Sequence, residues 1–205
     1  MKSRLFCVLM LLVVLTGCAV NRTVSKENVF SSNINPAIEI EVEFGLRAQP
    51  VVVFYTRDNN SSSEVKITIY PFVELNEEGT IKRAIYIRFD ELQRGTAYWL
   101  NDGRAYYNYA KLAGHKFTVY TPYFKKSLDD NAKKLGMNIN IVYARVSWRK
   151  ITGSNTIIAI DYVEPLPQSL DDGRFTGATV KFNDVQKAWW KELRARGERT
   201  FKVVK

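Results

Sequence analysis

Thiols are almost absent from this 205-residue chain: Cys7 and Cys18 are the only cysteines, and His115 is the only histidine. From residue 19 onward, disulfides, zinc–thiolate sites and cysteine nucleophiles are therefore excluded. A zinc centre needs three or four N, S or O ligands, and a catalytic histidine needs a nucleophile and an orienting acid, so neither can be built in its common form. No glycine-rich phosphate cradle is present, and no metal or cofactor is expected. Long apolar runs are lacking too. The uncharged stretch over residues 5–16 is about a dozen residues long, whereas a membrane-spanning helix needs about 20.

Negative charge is also in deficit, with 21 Asp and Glu against 30 Lys and Arg and a formal charge of +9. In an envelope, the polyanions available to such a chain are lipid headgroups, lipopolysaccharide and cell-wall polymers, and nucleic acid is not expected as a partner.

Lys2 and Arg4 precede the apolar stretch, and the small residues Gly17, Cys18 and Ala19 follow it. This is the three-part plan of a secretory signal peptide. Leu15, Thr16, Gly17 and Cys18 resemble the lipobox of bacterial lipoproteins, a likeness confined to the first twenty residues. The resemblance implies cleavage before Cys18, a thioether-linked diacylglycerol on its sulfur and an acylated amino group, because a thiol can be alkylated where a serine would not be. Several acyl chains, at about 0.8 kcal/mol per buried CH₂, hold a protein on a bilayer without any transmembrane helix. Ala19 in place of Asp favours the outer membrane, facing the periplasm. Loss of Lys2 and Arg4 with the signal leaves +7 of the +9 charges.

The expected organisation is thus a signal peptide over 1–17, a lipid-anchored flexible tether over 18–36 and one domain over 37–205. The tether segment AVNRTVSKENVFSSNINP is polar and lacks obvious periodicity, and as a coil it would reach roughly 20–25 Å. Beyond it the pattern has period two. In AIEIEVEF, Ile38, Ile40, Val42 and Phe44 alternate with Glu39, Glu41 and Glu43, which puts apolar groups on one face and a solvated acidic row on the other. Further strands are predicted over 51–56, 64–75, 80–89, 116–121, 139–148 and 156–163, with shorter pieces around Tyr98 and Tyr106. Turn signals NNSSS, NEEG, NDG and KITGSN lie between them.

Two short helices are predicted. In KKSLDDNAKKLG, Leu128, Ala132 and Leu135 share a face, Ser127 caps and Gly136 ends the helix, while Asp129 and Asp130 sit four residues before Lys133 and Lys134 as surface ion pairs. A last helix opens at Asn183 or Asp184, with Val185, Trp189 and Leu193 on one side, Lys187, Lys191 and Arg194 opposite and Trp190 at the border. The fold class is α+β, mainly antiparallel β, as a sandwich or barrel-like arrangement.

The most informative feature is a concentration of Tyr and Trp in mid-chain. Trp99, Tyr106, Tyr107, Tyr109 and Tyr123, with Tyr98 and Tyr120, lie among Arg104, Lys111 and Lys116 and are candidate partner-binding residues. Lys187, Lys191 and Arg194 are candidate contacts to an anionic surface, and Cys18 is the lipid attachment site. No catalytic residue is assigned: acids such as Asp171 and Asp172 give no reason to choose a pair. The expected function is a membrane-anchored envelope lipoprotein, a non-catalytic binding or assembly component for an envelope protein or cell-wall glycan. The competing expectations are a carboxylate-dependent enzyme acting on cell-wall glycan and a glycan- or anionic-lipid-binding module.

Overall fold

The computed structural model describes residues 21–33, 36–57, 63–93, 108–120, 133–138, 140–153, 155–170 and 183–205. Their arrangement is mainly antiparallel β, as two sheets with a helix. The smaller sheet contains β1 (Arg22–Val24), β2 (Val29–Ser32), β3 (Ile38–Val42) and β12 (Phe201–Val203), in that order. The larger one runs β4 (Arg47–Ala48), β6 (Glu64–Leu75), β7 (Ile81–Leu92), β11 (Thr156–Pro165), β10 (Tyr143–Thr152), β9 (His115–Tyr120) and β8 (Asn108–Leu112). A further strand, β5 (Val52–Arg57), lies against the same edge of β6 as β4.

Local chemistry explains the hairpins. At NEEG the Asn76 side chain accepts hydrogen bonds from the backbone of Glu78 and Thr80, and Gly79 takes φ +74°, so β6 returns as β7. Ala113 and Gly114 both have positive φ in the two-residue turn from β8 to β9, the geometry that matches the twist of paired strands. Pro71 lies inside β6, where a missing N–H would ordinarily break a ladder. Its carbonyl accepts from Gln49 N, so its nitrogen points to the outer edge, at the place where β5 gives way to β4.

Alternation sorts the large sheet into two faces. Ile85, Ile87 and Phe89 of β7, Ile158, Ile160 and Tyr162 of β11, and Val146 and Trp148 of β10 form one of them. They pack against Phe30, Ile38, Ile40, Val42, Phe201 and Val203 of the small sheet and against Trp190 and Leu193 of helix α1 (Asp184–Thr200). The aromatic contacts are close: Phe30 to Tyr70 at 4.8 Å and Trp148 to Phe201 at 5.1 Å between ring centroids. Tyr86, Tyr143, Val73 and Val163 of the opposite face form a second apolar cluster with Leu135 and Met137.

Several sequence expectations need correction. The tether expected over 18–36 is structured where it is described: β1 and β2 are strands and Phe30 is fully buried. Their shortness and serines hide them in the sequence, since the sheet they extend is completed by β12 from the far end of the chain. Phe44, expected to line up with Ile38, Ile40 and Val42, is 89% exposed, because β3 stops at Val42 and a turn closed by Leu46 N and Glu43 O follows. Leu46 is buried instead. Strands β7 and β10 extend to Leu92 and Thr152, beyond the predicted 89 and 148.

Of the expected helix over 127–136, Ser127, Leu128, Asp129, Asp130 and Ala132 lie outside the described residues. The part that is described ends in a turn at Gly136, φ +76°, with Leu135 against the second apolar cluster. Helix α1 is a full seventeen residues, opened by a capping box in which Asn183 and Gln186 exchange side-chain and backbone hydrogen bonds. Its inner face consists of Gln186, Trp190, Leu193, Gly197 and Thr200. Val185, expected on the same side as Trp189 and Leu193, is 68% exposed, and Trp189 is half-buried.

Gly197 shows why the helix sits so close. A Cβ added there would lie 2.6 Å from Trp148 Cη2 and 3.0 Å from Tyr162 Cβ. Helix interiors disfavour glycine by about 1 kcal/mol relative to alanine, so packing outweighs propensity at this position. Trp148 is fully buried and wedged against Phe201, which leaves it no room to give way. Gly197→Ala is expected to destabilise the domain by about 1–3 kcal/mol despite the better helix former, read as a lower urea midpoint with an unchanged slope.

Candidate functional site: an arginine–aspartate cluster on the second face of the large sheet

The same alternation that builds the apolar core sends Arg88 and Asp90 of β7, Arg145, Ser147 and Arg149 of β10, and Asp161 of β11 to the opposite face. Register brings them together. Asp161 stands directly across from Ser147 on β10 and from Tyr86 on β7. Arg145 and Arg149 flank Ser147 at two residues' distance, and Arg88 is two residues beyond Tyr86, so the three guanidiniums occupy diagonal positions around one carboxylate.

The Asp161 side chain is only 3% exposed, with Oδ2 lying 3.4 Å from Arg88 Nη1 and 3.6 Å from Arg145 Nη1. Arg88 Nε also lies 2.9 Å from Asp90 Oδ1, as an ion pair without hydrogen-bond alignment. Arg149 donates from Nε to Ser147 Oγ at 3.1 Å and lays its guanidinium 4.4 Å from the centre of the Tyr120 ring.

The electrostatics of the two acids diverge. Burial by itself would raise the Asp161 carboxyl, but Arg88, Arg145, Arg149 and a hydrogen bond from Ser147 outweigh it and hold the group below its ordinary value. For Asp90, burial wins over the attraction of Arg88, Arg149 and Arg145, and the repulsion of Asp161 adds to it, so its carboxyl is pushed up. Burial and the neighbouring charges of Arg88 and Arg145 lower Arg149. Three guanidiniums thus share two carboxylates, one of which is discouraged from ionising.

Positive charge continues outward to the sheet edge. Tyr109 on β8 is exposed, with Lys116 Nζ 3.8 Å from its ring centre, and Lys111 faces Lys116 across the hairpin. Together with Arg149 on the half-buried Tyr120 this gives two cations seated on aromatic rings; the exposed Lys116 contact is worth about 0.5–1 kcal/mol. Planar guanidiniums and ammonium groups on one face are suited to carboxylates and phosphates. Among the described residues, no group of three or more His, Cys, Asp or Glu is placed to hold a metal ion.

Only part of the candidate set from the sequence is located. Tyr109 is on this face, whereas Trp99, Tyr106, Tyr107, Tyr123 and Cys18 lie outside the described residues. Lys187, Lys191 and Arg194 are on α1, away from the cluster; Lys187 pairs with Asp184 at 2.9 Å and Arg194 with Glu198 at 2.8 Å. Two of these three cations are therefore offset by acids of their own helix, and the aromatic side of that helix faces the core. His115 Nδ1 lies 2.6 Å from Lys150 Nζ, on the core-facing side of the sheet.

The cluster residues themselves escape sequence reading, because Arg, Asp and Ser alternating with Ile, Val and Trp look like an ordinary solvated strand face. The available signal is that such residues recur on three strands long enough to lie side by side. Among the described residues, no helix is long and apolar enough to cross a membrane. Comparison with protein-family models, curated proteins and solved structures gives no match to this chain.

The opposed shifts of the two aspartates predict opposite pH behaviour. An ordinary unfolded Asp titrates near 3.9. Asp161, held below that, contributes stability that is present above about pH 4 and lost as pH falls. Asp90, pushed above it, contributes stability that is present at acid pH and lost as pH rises through its folded value. Asp161→Asn is expected to cost about 3–5 kcal/mol at pH 7, since it strands buried guanidiniums, with the deficit shrinking toward pH 3. Asp90→Asn should gain on the parent protein as pH rises from 4 to 7. Urea melts across this range check both signs.

Proposed function

We propose that the protein is a bacterial envelope lipoprotein, anchored through acylated Cys18 to the outer membrane on its periplasmic side. Its domain is a non-catalytic binding or assembly component that engages an envelope protein through an acidic surface. The observation that carries this reading is the second face of the large sheet, where guanidiniums outnumber carboxylates and two exposed or half-buried tyrosines carry stacked cations. Tyrosine and arginine together are the residue types that contribute most to protein–protein contacts. The lipobox-like residues 15–18 supply the anchor.

Photo-crosslinking in intact cells from position 109 tests this. One protein is expected to be captured, and capture should fall at least tenfold in Lys111→Glu/Lys116→Glu, since opposite charges on a rim govern encounter and partner choice. Capture of glycan, or of nothing, overturns it.

A second reading has one observation in its favour: Asp90 and Asp161 are two acids whose environments push their protonation apart, the division of labour that acid–base hydrolysis of glycan requires. Incubation of the chain from Cys18 onward with purified peptidoglycan separates the two. No release of soluble fragments is expected; release that Asp90→Asn abolishes would replace the binding reading with the enzymatic one.

A further inference from the structure

The fold fixes the chain almost as soon as it leaves the anchor. Asn21 donates its backbone N–H to Asn33 Oδ1 at 3.0 Å and accepts on its carbonyl from Asn33 N at 3.2 Å. Arg22, the next residue, has an 8% exposed side chain whose Nη2 lies 2.8 Å from Glu91 Oε1 and whose guanidinium stacks 3.8 Å from the Phe89 ring centre. Glu91 and Phe89 belong to β7 of the large sheet, so β1 is bolted across the sandwich as well as paired with β2. Val24 adds an apolar contact to the same core. A three-residue edge strand has little stability of its own, and this charge-assisted, stacked arginine supplies the hold.

From Cys18 to Asn21 there are three residue steps, at most about 10–11 Å of chain. Resting on the lipid-anchor reading above, we propose that Arg22 is a latch that keeps the domain flush with the bilayer, its β1 edge at the lipid headgroups, and that its partner therefore lies at the membrane surface. A free tether from 18 to 36 could extend to about 60 Å, and fixing Asn21 removes most of that reach. What remains is the domain's own diameter, about 40 Å for a chain of this size. The surface where the chain leaves the fold carries polar and charged groups that can meet lipid headgroups. A groove of about 320 Å³ opens there, in which Asn21, Thr23, Asn33, Glu39 and Lys205 lie beside the apolar Ala37 and Ile38.

The test uses the chain from Cys18 onward, which keeps every described element, coupled through its single thiol to a maleimide-bearing lipid in a supported bilayer. Neutron reflectometry reads the water layer between headgroups and protein. The parent chain is expected to show a layer of no more than about 10–15 Å. Inserting eighteen Gly and Ser residues between Val20 and Asn21 should widen it to about 25 Å. Arg22→Ala should widen it as well and speed hydrogen exchange of the β1 amides while those of β7 and β11 stay protected. If that variant loses protection throughout, the insertion variant, in which every described residue is intact, decides alone. A parent layer as wide as the insertion variant's overturns the proposal. Because the lipid is attached chemically, this outcome does not depend on what cells do with Cys18. Mass spectrometry of the Cys18 peptide from membranes tests the anchor separately, and a peptide without acyl groups overturns the anchor reading itself.

Discussion

Trp148 holds the layers together. From the middle of β10 its ring reaches Gly197 of the helix and Phe201 of the last strand, so one fully buried side chain touches the large sheet, the helix and the small sheet. The helix passes into β12 without a connecting loop, Thr200 to Phe201. Setting the depth of α1 against Trp148 therefore also sets where β12 lies, and with it β3, β2 and β1, which pair outward in sequence. Interiors packed to crystal-like density transmit such constraints because there is no slack to absorb them.

The two faces of the large sheet do different physical work. One is apolar and covered, and it supplies most of the burial that folding requires. The other mixes a smaller apolar cluster with a network of ions around Asp161. Burying charge is costly, and a hydrophobic replacement of the same volume is often at least as stable. Three arginines and two aspartates on adjoining strands are thus weak evidence for stability, and under the binding reading proposed above they would attract an anionic partner together with the lysines and tyrosines that continue to the β8 edge. The same surplus would suppress cationic partners, since like charges brought together cost several kcal/mol.

The N-terminal strands are tied to the strand that bears this surface. With β1 tied to β7 by Arg22, the strand bearing Arg88 and Asp90 also bears the partners of the latch, Phe89 and Glu91. On the anchoring proposed above, the pose of the domain on a membrane and the presentation of its charged face would be coupled through that one strand.

Sequence by itself determines a good deal here. Alternation over residues 64–75 matches β6 at both ends, the Asn76–Gly79 turn and the Asn183 cap are legible because their chemistry is local, and the thiol content fixes what the domain cannot be. Tertiary structure decides what depends on partners distant in the chain. Phe44 continues an apolar alternation yet is exposed, since nothing in those eight residues says where β3 stops. Trp190 rather than Val185 is inside, because the helix rotates to put Gly197 under Trp148. β1 and β2 are strands only because β3 and β12, the latter some 170 residues beyond β2, complete their sheet. The arginine–aspartate cluster belongs to the same class: each strand carries charges that look solvated, and only their register makes them neighbours.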